Sequence, residues 1–316
     1  MATQAPPYAA DLVEAQPRAS AGPWTEAFRR LRKNRLAIVG LALVIVFFFL
    51  GIFGPLLAPY DYKVQDLKAV LANGGYPITP GDPAHLLGTD NLGRDLLSRL
   101  LDGAQISVSV AIVVQLVVLT IGVPIGALAG WFGGRWDTYL MRFTDVMYAF
   151  PDLLFIILLA VTFRETAFGK ALDGLLLVFV AIGLTNWVTV ARLVRGQLLS
   201  LKETEFVEAA RAIGVPDRKI VLNHLLPNAI GPIIVAVTLG IPGAIISEAT
   251  LAYIGIGVQA PRASWGSLIS DGQKYIRQDP HLVLFPALAI ALALVSFTFL
   301  GDGLRDALDP KLKGKQ

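Results

Sequence analysis

Apolar residues fall in long charge-free runs along this chain, and polar residues collect between them. Residues 36–60, 103–134, 174–191, 225–247 and 282–301 contain no Asp, Glu, Lys or Arg. A helix rises about 1.5 Å per residue, so about 20 apolar residues cross a hydrocarbon layer of about 30 Å. Each run predicts a membrane-spanning helix. A further span over residues 139–163 is less regular, because Arg142, Asp145, Pro151 and Asp152 interrupt it. The pattern therefore predicts an all-α membrane protein of six spans. Pro124, Gly122 and Gly126 inside the second run predict a kink or close helix packing.

The polar stretches predict shorter elements. Trp24, Phe28 and Leu31 form a stripe at helical spacing among Arg29, Arg30, Arg32, Lys33 and Arg35. That combination predicts a basic helix over residues 24–35, lying at the interface of an anionic bilayer. Nucleic-acid binding by the same run is disfavoured, since the chain enters a membrane directly afterwards. Residues 1–23, rich in Ala and Pro, are expected to be a disordered tail.

Between residues 61 and 102 the first half is rich in turn formers. The second half predicts a surface-lying helix with Leu92, Leu96 and Leu100 in one row, an Asp95–Arg99 pair on its wet face, and Gly103 at its end. Residues 253–272, rich in Gly and Pro around Trp265, predict a re-entrant or surface loop with an aromatic anchor.

The stretch 203–227 is charged and amphipathic, yet lies between two spans. Phe206, Ala210 and Ile213 share one helical face, with Val207 and Ala209 beside them; Glu205, Glu208 and Arg211 take the other. Gly214 suits a helix C-terminus, and Val215-Pro216-Asp217 restarts a helix. Ile220, Val221, His224 and Leu225 give the second helix its face, and Pro227 is expected to break it. Two short helices with a glycine elbow, held at a membrane surface, are predicted.

Composition agrees with a polytopic membrane protein. The 316 residues are 54% hydrophobic and 16% charged, against about 25% charged in soluble domains. Six spans put both termini on one side. That side would hold eighteen Lys and Arg, and the other side nine. The positive-inside rule then places both ends and the 203–227 loop in the cytoplasm.

The sequence has no cysteine, which excludes disulfides and thiolate metal sites. His85, His224 and His281 show no metal spacing, so no metal site is expected. A phosphate loop of the G-x-x-x-x-G-K-[ST] type is absent, as are hydrolase motifs. No enzymatic activity and no cofactor are therefore expected of the chain itself. Carboxylates inside spans remain. Asp145 and Asp152, seven residues apart, would share a face of one straight helix. Asp152 either faces a polar cavity or pairs near the interface. Glu248, near the far end of its run, is the second candidate for a translocation path.

Three signatures carry a family resemblance. The first is Glu208-Ala209-Ala210, Gly214 and Leu226-Pro227, with His224 where the general pattern has isoleucine. The second is His85, Leu87-Gly88-Thr89-Asp90, Gly93-Arg94-Asp95, Ser98-Arg99 and Gly103, with Gln105 where arginine is usual. The third is Gly257-Val258-Gln259, Pro261 and Ser264-Trp265-Gly266. Together these resemble binding-protein-dependent ABC transporter permeases of the dipeptide, oligopeptide and nickel branch, second-subunit type, from about residue 30 onward. The resemblance implies a type I importer permease fold in a bacterial or archaeal plasma membrane. Its parts would be a first span with an extracytoplasmic loop (36–102), a five-span core (103–306) and a basic cytoplasmic tail (307–316).

The same resemblance implies a second related permease subunit, two ATPase subunits that bind the ATP, and an extracytoplasmic substrate-binding protein. The 203–227 loop would seat in the ATPase, with Glu208 and Arg211 making polar contacts and Ala209, Ala210 and Gly214 permitting close approach. A lost salt bridge is expected where Gln105 replaces arginine. Cargo among similar permeases includes peptides, nickel complexes and glutathione. The rival readings are an ion-gradient-driven secondary transporter, which would need inverted repeats, and a membrane scaffold.

Overall fold

The computed structural model describes residues 22–309. Most of the N-terminal tail (1–21) and most of the basic C-terminal tail (310–316) lie outside the described residues.

Helix α1 (Pro23–Lys33) is followed by Asn34, whose side chain accepts from the Ala37 amide and caps α2 (Arg35–Leu57). Short α3 (Leu67–Ala72) lies in the polar lobe that follows, capped by Asp66. Next come α4 (Leu96–Phe132), α5 (Gly134–Ala149) and α6 (Asp152–Phe163). The short α7 (Ala167–Lys170) leads into α8 (Leu175–Lys202). Then α9 (Glu205–Ala212) and α10 (Asp217–Ile220) precede α11 (Leu226–Tyr253). Finally α12 (Trp265–Gly272) and α13 (His281–Leu308) close the bundle. Among the described residues the β pairing is confined to two isolated bridges, Gln65 with Arg94 and Thr89 with Asp95.

Five helices are long and apolar enough to span a membrane: α2, α4, α8, α11 and α13 are their cores. The third expected span is not one rod. It consists of α5 and α6, bent by 82° at Phe150-Pro151. Proline lacks an N–H and disfavours helix at the residue before it. Asp145 and Asp152 therefore share no helical face, contrary to the straight-helix expectation.

The most extensive contact is between α4 and α8. Gly122, Gly126 and Gly130 recur every fourth residue on α4 and lie against the Trp187, Ala191 and Arg195 carbonyl oxygens of α8. Small residues let two backbones approach closely where lipid supplies no hydrophobic drive. Gly40 of α2 and Gly303 of α13 serve the same purpose against Ser296 and Ala37. One buried cluster runs along α4 and α8; a second joins α2, α4, α11, α12 and α13.

The polar lobe corrects a second expectation. The helix expected to lie on the surface and stop at Gly103 is the first part of α4, which continues unbroken to Phe132. Gly103 sits inside it, against Trp265 and the Ala263 carbonyl. Asp95 and Arg99 are buried, and Asp95 is the N-cap of α4.

Candidate functional site

One end of the bundle gathers α1, the end of α13, the end of α8 and the 203–227 stretch. Helix α9 follows α8 after two residues, with Glu205 and Glu208 in its first turn and Arg211 in its last. This charge order suits the helix dipole. It closes in a Schellman turn: the Gly214 amide donates to the Arg211 carbonyl at 2.9 Å, and the Val215 amide to Ala210 at 3.0 Å. Gly214 has φ 78°, a conformation that a Cβ penalises.

The second helix differs from the expected pair. It starts after Pro216 and does not break at Pro227. A π turn over Val221–Leu225 joins α10 to α11, and Pro227 falls within the first turn of α11. A π turn shifts the hydrogen-bond ladder by one residue, which removes the demand for an amide at the proline.

The buried face is Val207 and Ala210 from α9 with Ile220 and Leu225 from the next helix. Phe206 and Ile213, expected on the same face as Ala210, point outward instead. Ile213 is 80% exposed, Phe206 41%, and Leu222 beyond the elbow 49%. Glu208, Ala209, Arg211 and Pro227 are exposed as well, and Leu226 is half-buried. The elbow thus presents apolar side chains and both signs of charge away from its own bundle.

Periodicity missed Trp131, which ends α4 beneath α9. It is buried, with the Arg211 guanidinium 4.8 Å and the Lys202 ammonium 5.7 Å from its ring centroid. Lys202 Nζ also donates to the Trp131 carbonyl at 2.8 Å. Arg211 therefore leans on its own chain. A helix ending in Trp-Phe beside an amphipathic loop was the available signal.

The opposite end holds the lobe and α12. Asp90 Oδ2 accepts from Arg94 Nε at 2.7 Å and from Arg99 Nη1 at 2.5 Å, all three residues being buried. Asp95 Oδ2 accepts from the Ser98 amide and hydroxyl, each at 2.7 Å, and Oδ1 faces His85 Nδ1 at 3.0 Å. The second signature is thus a buried polar knot that starts α4. Asp66 lies beside it, its carboxyl held below the usual carboxylate range by the Ala69 amide and by the His85 ring.

Gln105 does not leave a gap. Arg262, from the third signature, reaches Gln105 Oε1 at 2.6 Å and Asp102 Oδ1 at 2.8 Å. Trp265 Nε1 donates to the Leu100 carbonyl at 3.1 Å. These contacts tie the loop before α12 to the first turns of α4.

The two carboxylates proposed for a path lie apart. Asp152 opens α6 at the bend, exposed, and meets no cation among the described residues. Asp145 pairs with Arg192 at 2.8 Å, and Asp137 holds Arg195 in a two-point bridge at 2.5 and 2.6 Å, which seats α5 on α8. Glu248 is enclosed in the chain's own bundle beside Ser107 and Ser264, and neither of its oxygens reaches a hydrogen-bond partner. No group of three or more metal-ligating side chains occurs among the described residues.

A bundle of long apolar helices, with a rigid polar elbow at one end and a pinned polar lobe at the other, defines a membrane-embedded transport component. Residues 122–314 match the family "Binding-protein-dependent transport system inner membrane component", and residues 22–73 match "N-terminal TM domain of oligopeptide transport permease C". The chain belongs to the family of binding-protein-dependent transport system inner membrane components.

It is 40% identical over 290 residues to the oligopeptide transport system permease protein OppC of Bacillus subtilis, covering 92% of this chain and 90% of that one. It is 42% identical to the dipeptide transport system permease protein DppC of the same organism, over 91% of this chain and 86% of that one. Identity is 39% to the glutathione transport system permease protein GsiD of Escherichia coli O6:K15:H31, over 92% of each. Among solved structures, the inward-facing MetNI methionine ABC transporter shares the fold. Its TM-score is 0.54 at 19% identity, with 66% of this chain and 96% of that chain covered. Membership in this family sets aside the ion-gradient-driven alternative.

Proposed function

We propose that this chain is one of two permease subunits of an ATP-driven importer for short peptides or a related small solute. The solute class is supported by relatives named for oligopeptide, dipeptide and glutathione transport. A second related permease completes the path, a binding protein delivers cargo at the α3 and α12 end, and two ATPase subunits bind and hydrolyse ATP. The observation that carries this reading is the elbow. A Schellman turn fixes its angle, and it turns Phe206, Ile213 and Leu222 outward between charged groups, as a docking face for a rigid partner requires.

The distribution of Lys and Arg supports an inner-membrane orientation with both termini and the elbow in the cytoplasm. Helix α1 supports the same side. Ala27 and Leu31 pack on α13, while Trp24, Phe28, Arg29 and Arg32 stay exposed toward anionic lipid. We place Asp152, at the α5–α6 bend, on the path; Glu248 reaches it only if the bundle opens. Affinity purification from the native membrane tests the assignment. Co-purified ATPases and ATP-dependent uptake in proteoliposomes are expected. A chain that moves solute with no ATPase present, or that purifies alone and inert, refutes it.

A further inference from the structure

We propose that Trp131 is a positioning residue for coupling: it is the foot by which movement of the elbow reaches the far end of the molecule through α4. This rests on the elbow docking an ATPase, as proposed above. Helix α4 touches both ends, as do α8 and α11, but it is the longest of the three and alone carries an aromatic foot under α9. It is unbroken for 37 residues, about 55 Å at 1.5 Å per residue. At its last turn Trp131 lies under α9, with Arg211 at 4.8 Å and Lys202 at 5.7 Å from the ring centroid. At its first turns Asp102, Gln105 and the Leu100 carbonyl hold Arg262 and Trp265.

Between those ends, the Gly122, Gly126 and Gly130 approach clamps α4 to α8. Packed helices switch between discrete arrangements instead of deforming smoothly. A push on α9 therefore has three direct routes. Two are covalent: the two-residue link to α8, and the continuation through α10 and the π turn into α11. The third is the ring of Trp131, a broad flat contact that two cations grip without a covalent bond. Cation–π attraction weakens when the ring is removed but survives exchange among aromatics. A packing role alone would depend on volume, and both Leu and Phe are smaller than Trp.

The test uses the complete importer in nanodiscs and needs no substrate. Amide hydrogen exchange is compared with and without ATP and vanadate in wild type, Trp131→Phe and Trp131→Leu. Wild type is expected to respond in α9 and also in residues 254–264 at the far end. Trp131→Phe should keep both responses. Trp131→Leu should keep the α9 response and lower that of residues 254–264 by about two- to fivefold, the factor that loss of an exposed cation–π contact represents. If Trp131→Leu fails to assemble, Lys202→Met carries the test, with a smaller loss in the same direction.

Three results overturn the proposal: an undiminished far-end response in Trp131→Leu or Lys202→Met, equal losses in the Phe and Leu variants, or a wild type that responds only in α9. A wild type with no nucleotide response in α9 refutes the docking role of the elbow instead, and the two failures are thereby distinguished.

Discussion

Gly126→Ala probes the packing on which the bundle depends. A Cβ at residue 126 would lie 2.4 Å from the Ala191 carbonyl oxygen and 2.8 Å from Val194 Cβ, where ordinary contact begins at 3.4 Å. The nearest atom is backbone, so no side-chain rotation relieves it; α4 and α8 must part by about 1 Å locally. Overpacking of this kind costs about 1–3 kcal/mol. Gly196→Ala is the matched comparison, since a Cβ there meets nothing within 4 Å. In mid-helix that change should stabilise by about 0.5–1 kcal/mol, because alanine restricts the unfolded chain. Thermal unfolding of the purified chain in detergent, followed by helix circular dichroism, should separate the two variants in opposite directions from wild type. Equal shifts, or a neutral Gly126→Ala, would refute the claim that backbone contact holds α4 to α8.

Other predictions follow from single features. Gly214→Val should abolish ATP-driven uptake with normal membrane abundance, whereas Gly214→Ala keeps part of it; the φ of 78° strains any Cβ and a β-branched one most. Full uptake by the valine variant counts against the elbow. Asp90→Asn leaves the buried Arg94 guanidinium without a carboxylate and Arg99 with only Asp271 at 3.5 Å, a loss of about 3 kcal/mol. Western blots of membranes should show it depleted. Asp152→Asn, at an exposed bend with no partner to lose, should change uptake rate more than abundance. A drop mainly in abundance assigns that carboxylate to structure.

The sequence predicted where the spans cross better than where their helices end. Each charge-free run lies within or largely overlaps one of α2, α4, α8, α11 and α13, yet α8 continues through Arg192, Arg195 and Lys202, and α4 begins seven residues before its run at Leu96. Hydropathy marks the thickness of the hydrocarbon layer, whereas helices stop where caps and glycines stop them. Pro151 signalled an interruption, but only packing of α5 on α8 through Asp137–Arg195 shows that it is a bend.

The elbow was legible at Gly214, whose positive φ follows from its type. The inward face was not: α9 has apolar residues on two sides, and periodicity alone cannot choose Val207 over Phe206. The polar lobe misled most. Asp95 and Arg99 read as the wet face of a surface helix; with His85, Asp90 and Arg94 they are buried, because these groups pair with one another.

A fixed elbow that meets the ATPase on the cytoplasmic side can be tested with one substitution. Since the sequence has no cysteine, a single Ile213→Cys gives a clean probe at a residue 80% exposed. In cells expressing the whole importer, this thiol should crosslink to an ATPase subunit and resist a membrane-impermeant maleimide added outside. Labelling of Ile213→Cys from outside intact cells, with no crosslink to an ATPase, would contradict it.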